Sequence, residues 1–162
     1  MSIDAKPRAA VFVDVQNIYY TCRQEYQRQF NYRQFYAQLA EKCDVCVANA
    51  YAIDSHNDGQ HRFQSALRNI GFDVKLKPYI QRADGSAKGD WDVGITIDVM
   101  DIASEVDEVI LLSGDGDFAQ LLVRIKQGLG ATTRVVSVEA LTAQALIQSC
   151  DVYTPINAND LL

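Results

Sequence analysis

The chain has 162 residues, 48% of them hydrophobic and 22% charged, with a formal net charge of −6. That is about one domain's length with an ordinary globular composition, which excludes wholesale disorder. The negative balance argues against a protein that coats nucleic acid by bulk charge, and no apolar run approaches the ~18 residues needed to span a bilayer.

The predicted elements alternate. The N-terminal MSIDAKPRAAVF passes from a short polar tag into a strand with no signal-peptide layout, and AAVFVDV (9–15) is a buried strand. A helix follows Asn17, and a second begins near Asn31, where N-Y-R-Q offers an N-cap with Gln three residues on. VCVANAYAI (45–53) is a strand, and a helix from His56 to Ile70 is stopped by Gly71 at its C′ position. FDVKLKPYI (72–80) is a third strand, and QRADGSAKGD (81–90) is a loop by its turn residues. DVGITIDVMDIAS (92–104) has helical spacing. EVILLS (108–113) is a strand, FAQLLVRIKQGLG (118–130) a helix, and TTRVVSV (132–138) a strand. LTAQALIQSC (141–150) is a last helix before a short strand DVYTPI (151–156). Continuously apolar strands alternating with helices predict an α/β fold, one domain with a parallel sheet covered on both faces.

Four cysteines (Cys22, Cys43, Cys46 and Cys150) fit reduced thiols in a cytoplasmic protein. Cys43 and Cys46 form C-x-x-C, but no second pair or histidine pair completes a zinc site, so they are expected to be small packing residues. Charge is unevenly spread. Arg62, Arg68, Lys75, Lys77, Arg82 and Lys88 face only Asp73 and Asp84 between Gly59 and Gly89, whereas Asp90 to Asp117 holds no Lys or Arg. Two solvated faces account for such asymmetry, and so does a polyanion track leading to an acidic, cation-filled site.

In an open parallel sheet the functional crevice lies beyond the carboxyl ends of the strands. Asp14 ends strand one, Asp115 and Asp117 follow the central strand 108–113, and Asp92 opens the helix that feeds that strand. Each alone is explained as a helix cap. Their convergence from three segments is not, because like charges a few ångströms apart repel unless a cation neutralises them. Oxygen ligands without a His or Cys cage suit Mg²⁺ or Mn²⁺. In Ser113-Gly114-Asp115-Gly116-Asp117 the glycines are expected to let the backbone leave the strand in a tight turn.

Two other readings of this stretch fail. Gly114 to Ala119 fits G-x-G-x-x-A, with Glu139 about 20 residues on. Its intervening aspartates, however, point negative charge where a pyrophosphate belongs, and the motif falls late in the chain. An EF-hand loop from Asp115 lacks its third ligand and glycine at Ala119 and Gln120, and has Lys126 in place of the bidentate Glu.

Taken together, "VFVDVQNIYY", "KGDWDVGITIDVM" and "LLSGDGDFAQLLVRIKQGLGATTRVVSV" resemble the NYN domain family, in its LabA-like branch, over roughly residues 9 to 154. The resemblance implies a PIN-like three-layer α/β/α sandwich with a mainly parallel sheet, and metal-dependent ribonuclease chemistry. Residue by residue it points to Asp14 and Asn17; to Asp92, preceded by Lys88 and Gly89; and to Ser113, Asp115 and Asp117. Asp98 also matches a recurrent family acid, offset in angle from Asp92, and the sequence leaves open whether Asp90 competes with Asp92 for the metal. In this reading Asp14, Asp92, Asp115 and Asp117 hold Mg²⁺ or Mn²⁺, an Asp accepts the attacking water's proton, and Ser113 and Asn17 orient water or phosphate.

The expected partner is single-stranded RNA lying over Lys75, Lys77, Arg82 and Lys88, with Tyr79, Trp91 or Tyr19 as stacking faces. No membrane association is expected, and the Tyr-rich NYRQFYAQL offers a homodimer surface. The rival is a regulatory module of the same fold that holds RNA or protein without cutting. The intact acids favour the enzyme, since a domain that only binds has no need of a repulsive cluster.

Overall fold

The computed structural model describes residues 5–54, 57–78, 80–81, 87–88 and 90–162. In chain order the elements are β1 (Arg8–Asp14), α1 (Val15–Tyr26), α2 (Tyr32–Lys42), β2 (Asp44–Asp54), α3 (Asp58–Ile70), β3 (Asp73–Pro78), β4 (Ile80–Gln81) and β5 (Ala87–Lys88). Then follow α4 (Asp92–Ile102), β6 (Glu108–Leu112), α5 (Ala119–Gly128), β7 (Thr132–Ser137), α6 (Gln144–Ser149) and β8 (Val152–Pro155). Six strands form one sheet in the order β3-β2-β1-β6-β7-β8, every neighbouring pair parallel.

The apolar strands are buried on both faces, as a parallel sheet requires. Along β1, Ala9, Val11 and Val13 enter one core while Ala10 and Phe12 enter the other. The first core is closed by Val15, Ile18 and Cys22 of α1, Tyr32 of α2 and Leu67 of α3. The second is closed by Ile95 and Val99 of α4, Leu121, Leu122 and Ile125 of α5, and Leu146 of α6. The result is a three-layer α/β/α sandwich, consistent with a PIN-like domain. Gly71 ends α3 as expected: its φ of 134° suits glycine, and its N–H donates to Leu67 O at 3.2 Å.

Two expectations need correction. Of 81–90, read as loop, Gln81, Ala87 and Lys88 join Ile80 in a short antiparallel ladder, Ile80 with Lys88 and Gln81 with Ala87. Strands of two residues are too short to show alternation in the sequence. The helix expected over 141–150 is split into a 3₁₀ turn, Glu139–Leu141, and α6, because the Ala143 N–H donates to Gly114 O at 3.1 Å and draws the backbone aside. On α2, Tyr32 is buried in the first core and the partly buried Phe35, Tyr36 and Leu39 pack against it. Among the described residues no helix is long and apolar enough to cross a membrane.

Strand order reverses between β1 and β6. The crevice of an open α/β sheet opens at that point, beyond the carboxyl ends of those two strands.

Candidate metal centre

Val13 and Leu112 are register partners on β1 and β6, so Asp14 and Ser113 leave the sheet side by side at the switch point. Asp14 is the N-cap of α1, its Oδ1 accepting from Asn17 N at 3.5 Å. Its Oδ2 accepts from Ser113 Oγ at 3.0 Å. Asp115 caps the next turn in the same way, its Oδ1 accepting from Asp117 N at 2.9 Å. Asp92 opens α4 and is brought in from the third segment. Oxygens of Asp14, Asp92 and Asp115, all half-buried, lie within 4.8 Å of one another. Capping and convergence are therefore not alternatives: two of the three carboxylates do both.

The electrostatics follow from this crowding. Burial lifts the Asp14 carboxyl to about 6, opposed by the Ser113 and Asn17 hydrogen bonds and reinforced by Asp115 and Asp90. Asp92 is held up to about 7 by burial first, then by its hydrogen bond to Asp115 and the negative charges of Asp115, Asp90 and Asp14. Carboxyls held up by burial and then by anionic neighbours favour a cation in the gap. The donor set is all oxygen, and of the two histidines His61 stands 3.7 Å from Asp54 instead. These residues fit Mg²⁺ or Mn²⁺.

The remaining expected residues fall around the trio. Asp117 is tied to Asp115 through its own backbone N–H, while its side chain is exposed on the 3₁₀ turn Gly116–Phe118 and outside the convergent group. Ser113 is fully buried; it fixes Asp14 and accepts from Asp115 N at 3.2 Å, so it positions carboxylates and has no surface to offer a phosphate. Asn17 Oδ1 accepts from Gly114 N at 2.9 Å, tying α1 to the loop. Asp90 stands just outside, its Oδ1 accepting from Asp92 N at 3.2 Å. Asp98 accepts from Tyr51 Oη at 2.7 Å, a hydroxyl that in turn accepts from Asn49 Nδ2. It is thus engaged on the neighbouring strand.

The two glycines of the loop have a different cause from the one expected. Neither Gly114 nor Gly116 has a positive φ. A Cβ on Gly114 would stand 3.0 Å from Thr142 Oγ1 and 3.1 Å from Leu141 O, and one on Gly116 would stand 2.8 Å from Ala143 Cβ. They admit the 141–143 segment, which no local pattern announces.

Trp91 is likewise a prop, not an open stacking face. Its Nε1 donates to Ala52 O at 2.9 Å, Tyr51 sits 5.3 Å away, and Lys77 Nζ lies 4.6 Å over the ring. Lys77 also donates to Asp90 O at 3.0 Å. Lys75 stands 3.9 Å from Asp73. Arg82, Tyr79 and the Lys88 side chain lie outside the described residues. Of the C-x-x-C pair, Cys43 is buried and Cys46 exposed, and both are free thiols.

Fold and site together define an open parallel α/β protein with an acidic centre at its switch point. Within that class the chain belongs to the NYN domain family, which it matches over residues 8–157, and it is LabA-like. It is 30% identical over 160 residues to the low amplitude and bright protein LabA of Synechococcus elongatus, covering 93% of this chain and 84% of that one. A protein of unknown function from Vibrio parahaemolyticus has the same structure over 100% of both chains, with a TM-score of 0.94 and 51% identity.

Proposed function

We infer that the protein is a metal-dependent ribonuclease acting on single-stranded RNA. The observation that carries this reading is the convergence of Asp14, Asp92 and Asp115 at the switch point. Asp14, Asp92 and Asp115 would hold the ion, and family membership supports a nuclease use for it. A divalent cation there supplies charge neutralisation at a phosphate and a hydroxide at neutral pH. Ser113 keeps Asp14 in its rotamer, and Asp90 holds the first turn of α4 so that Asp92 faces the other two. Asp117, exposed and two residues past Asp115, would take a proton from an attacking water. Lys75, in register with Tyr51 on the α4 side of the sheet, and Lys77, over Trp91, add positive charge next to this edge.

The test is direct. Labelled single-stranded RNA is expected to be cut in Mn²⁺ and left intact in EDTA. Asp115→Asn is expected to lower the rate more than about a hundredfold, with a cooperative melt retained. Cutting at the wild-type rate by this variant removes the proposed centre.

A further inference from the structure

A second concave surface adjoins the carboxylates on the opposite side from Lys75 and Lys77. It is a cavity of about 770 Å³ between α1 and α3, floored by Ala52 and Ile53 at the carboxyl end of β2. Asp14 pairs in register with Tyr51, and the next residues of both strands, Val15 and Ala52, already line the cavity. The groove therefore begins where the acidic centre ends.

Its chemistry is the reverse of the centre's. In a chain of net charge −6, no Asp or Glu among the described residues lines it, while Arg23 and Arg62 both do. Both arginines are exposed, and neither is in an ion pair among the described residues. Gln16, Tyr19, Tyr20 and Arg23 fall three to four residues apart on α1 and so share one face of the helix. Tyr20 is 58% exposed and Tyr19 39%, unusual for aromatic rings of a monomeric surface. The two rings meet edge to face at 5.3 Å and the Arg23 guanidinium lies 5.9 Å over the Tyr19 ring, which fixes the pair and leaves Tyr20 the more exposed of the two. Arg23 Nη1 donates to Tyr19 Oη at 2.8 Å and holds that ring in place.

An exposed tyrosine ring flanked by two guanidinium groups outside any ion pair of the described residues, and contiguous with the candidate metal centre, matches single-stranded nucleic acid: bases stack on aromatics while cations follow the backbone. A phosphodiester strand answers both features at once, with anions for the two guanidinium groups and a base for the exposed ring. We propose that the α1/α3 groove is the binding subsite for the RNA strand next to the scissile phosphate, with a base stacked on Tyr20 and backbone phosphates held by Arg23 and Arg62.

This assignment rests on the ribonuclease reading for its substrate class, and it is tested by binding in EDTA so that cleavage does not enter. A fluorescein-labelled octanucleotide of single-stranded RNA is titrated by anisotropy against wild type, Tyr20→Ala, Tyr20→Phe and Arg62→Gln. Tyr20→Ala is expected to raise Kd about fivefold or more, with Tyr20→Phe near wild type because the ring, not the hydroxyl, does the stacking. Arg62→Gln is expected to flatten the slope of log Kd against log salt by roughly 0.7. Both side chains are at the surface, and equal melting temperatures establish that the variants are folded. Wild-type affinity in Tyr20→Ala with an unchanged salt slope in Arg62→Gln overturns the groove, as does a wild type that binds no RNA. So does a concentration-dependent mass that Tyr20→Ala abolishes at unchanged RNA affinity, which would make the groove an interface between copies. Binding that depends on Tyr20 in a protein that does not cut RNA keeps the groove and removes only the cleavage reading.

Discussion

Asp14 and Asp92 carry protons towards neutral pH because burial and neighbouring carboxylates oppose their ionisation, and stability must respond. Both are raised from 3.8, to about 6 and about 7 respectively. Between pH 4 and 7 the folded state then binds more protons than the unfolded chain, so stability without metal falls as the pH rises through that window. From pH 5 to 8, Asp14 contributes on the order of 1 kcal/mol, and the more exposed Asp92 adds a share reduced by solvent screening. In EDTA the protein is expected to melt roughly 2–6 °C higher at pH 5 than at pH 8. Asp92→Asn, which removes the charge and keeps the shape, is expected to raise the pH 8 melting temperature and flatten this dependence. Divalent metal competes with the same protons, so its affinity is expected to drop below pH 7. A metal-free melting temperature that climbs from pH 5 to 8 contradicts the packing of these acids.

At the scale of elements, the helix that delivers Asp92 is aimed by contacts far from it in sequence. A Cβ on Gly94 would stand 2.6 Å from Trp91 Cε3. The indole cannot step aside cheaply, held as it is by Ala52 O, Tyr51 and Lys77. Gly94→Ala is therefore expected to lower stability by about 1–3 kcal/mol, in the range of overpacking. It should also shift the emission of Trp91, the chain's single tryptophan, to the red. Unchanged emission and melting would mean that α4 is not seated on this ring. The example marks what was legible in the sequence. Strand ends carrying Asp14 and Asp115, and the helical start at Asp92, follow from periodicity and turn chemistry, which are local. The reasons for Gly94, Gly114 and Gly116, the full burial of Ser113 and the sealing of Trp91 all depend on partners elsewhere in the chain, and a local pattern carries no record of them. The same holds for the loop reading of 81–90, where a ladder of two residues per strand has no period to detect.

At the scale of the whole molecule, the acidic centre joins the two halves of the sheet, so whatever binds it is linked to global unfolding. Asp14 belongs to the β1 side of the switch point, Asp115 follows β6, and Asp92 comes from the layer over the second core. No unfolded chain holds these three together, and an ion bound by them therefore favours the folded state by mass action. Mg²⁺ or Mn²⁺ at about ten times its dissociation constant adds about 1.4 kcal/mol, which for a domain of this size is a melting shift of roughly 3–6 °C. Helix caps alone predict no such response. The structure also orders the variants. Asp92→Asn removes one of the convergent oxygens and is expected to lose most of the shift. Asp117→Asn changes an exposed carboxylate outside the group and is expected to keep most of it. Melting the wild type and both variants with and without Mn²⁺, at fixed ionic strength, checks the ordering. Equal shifts in all three proteins would place the metal somewhere other than between Asp14, Asp92 and Asp115.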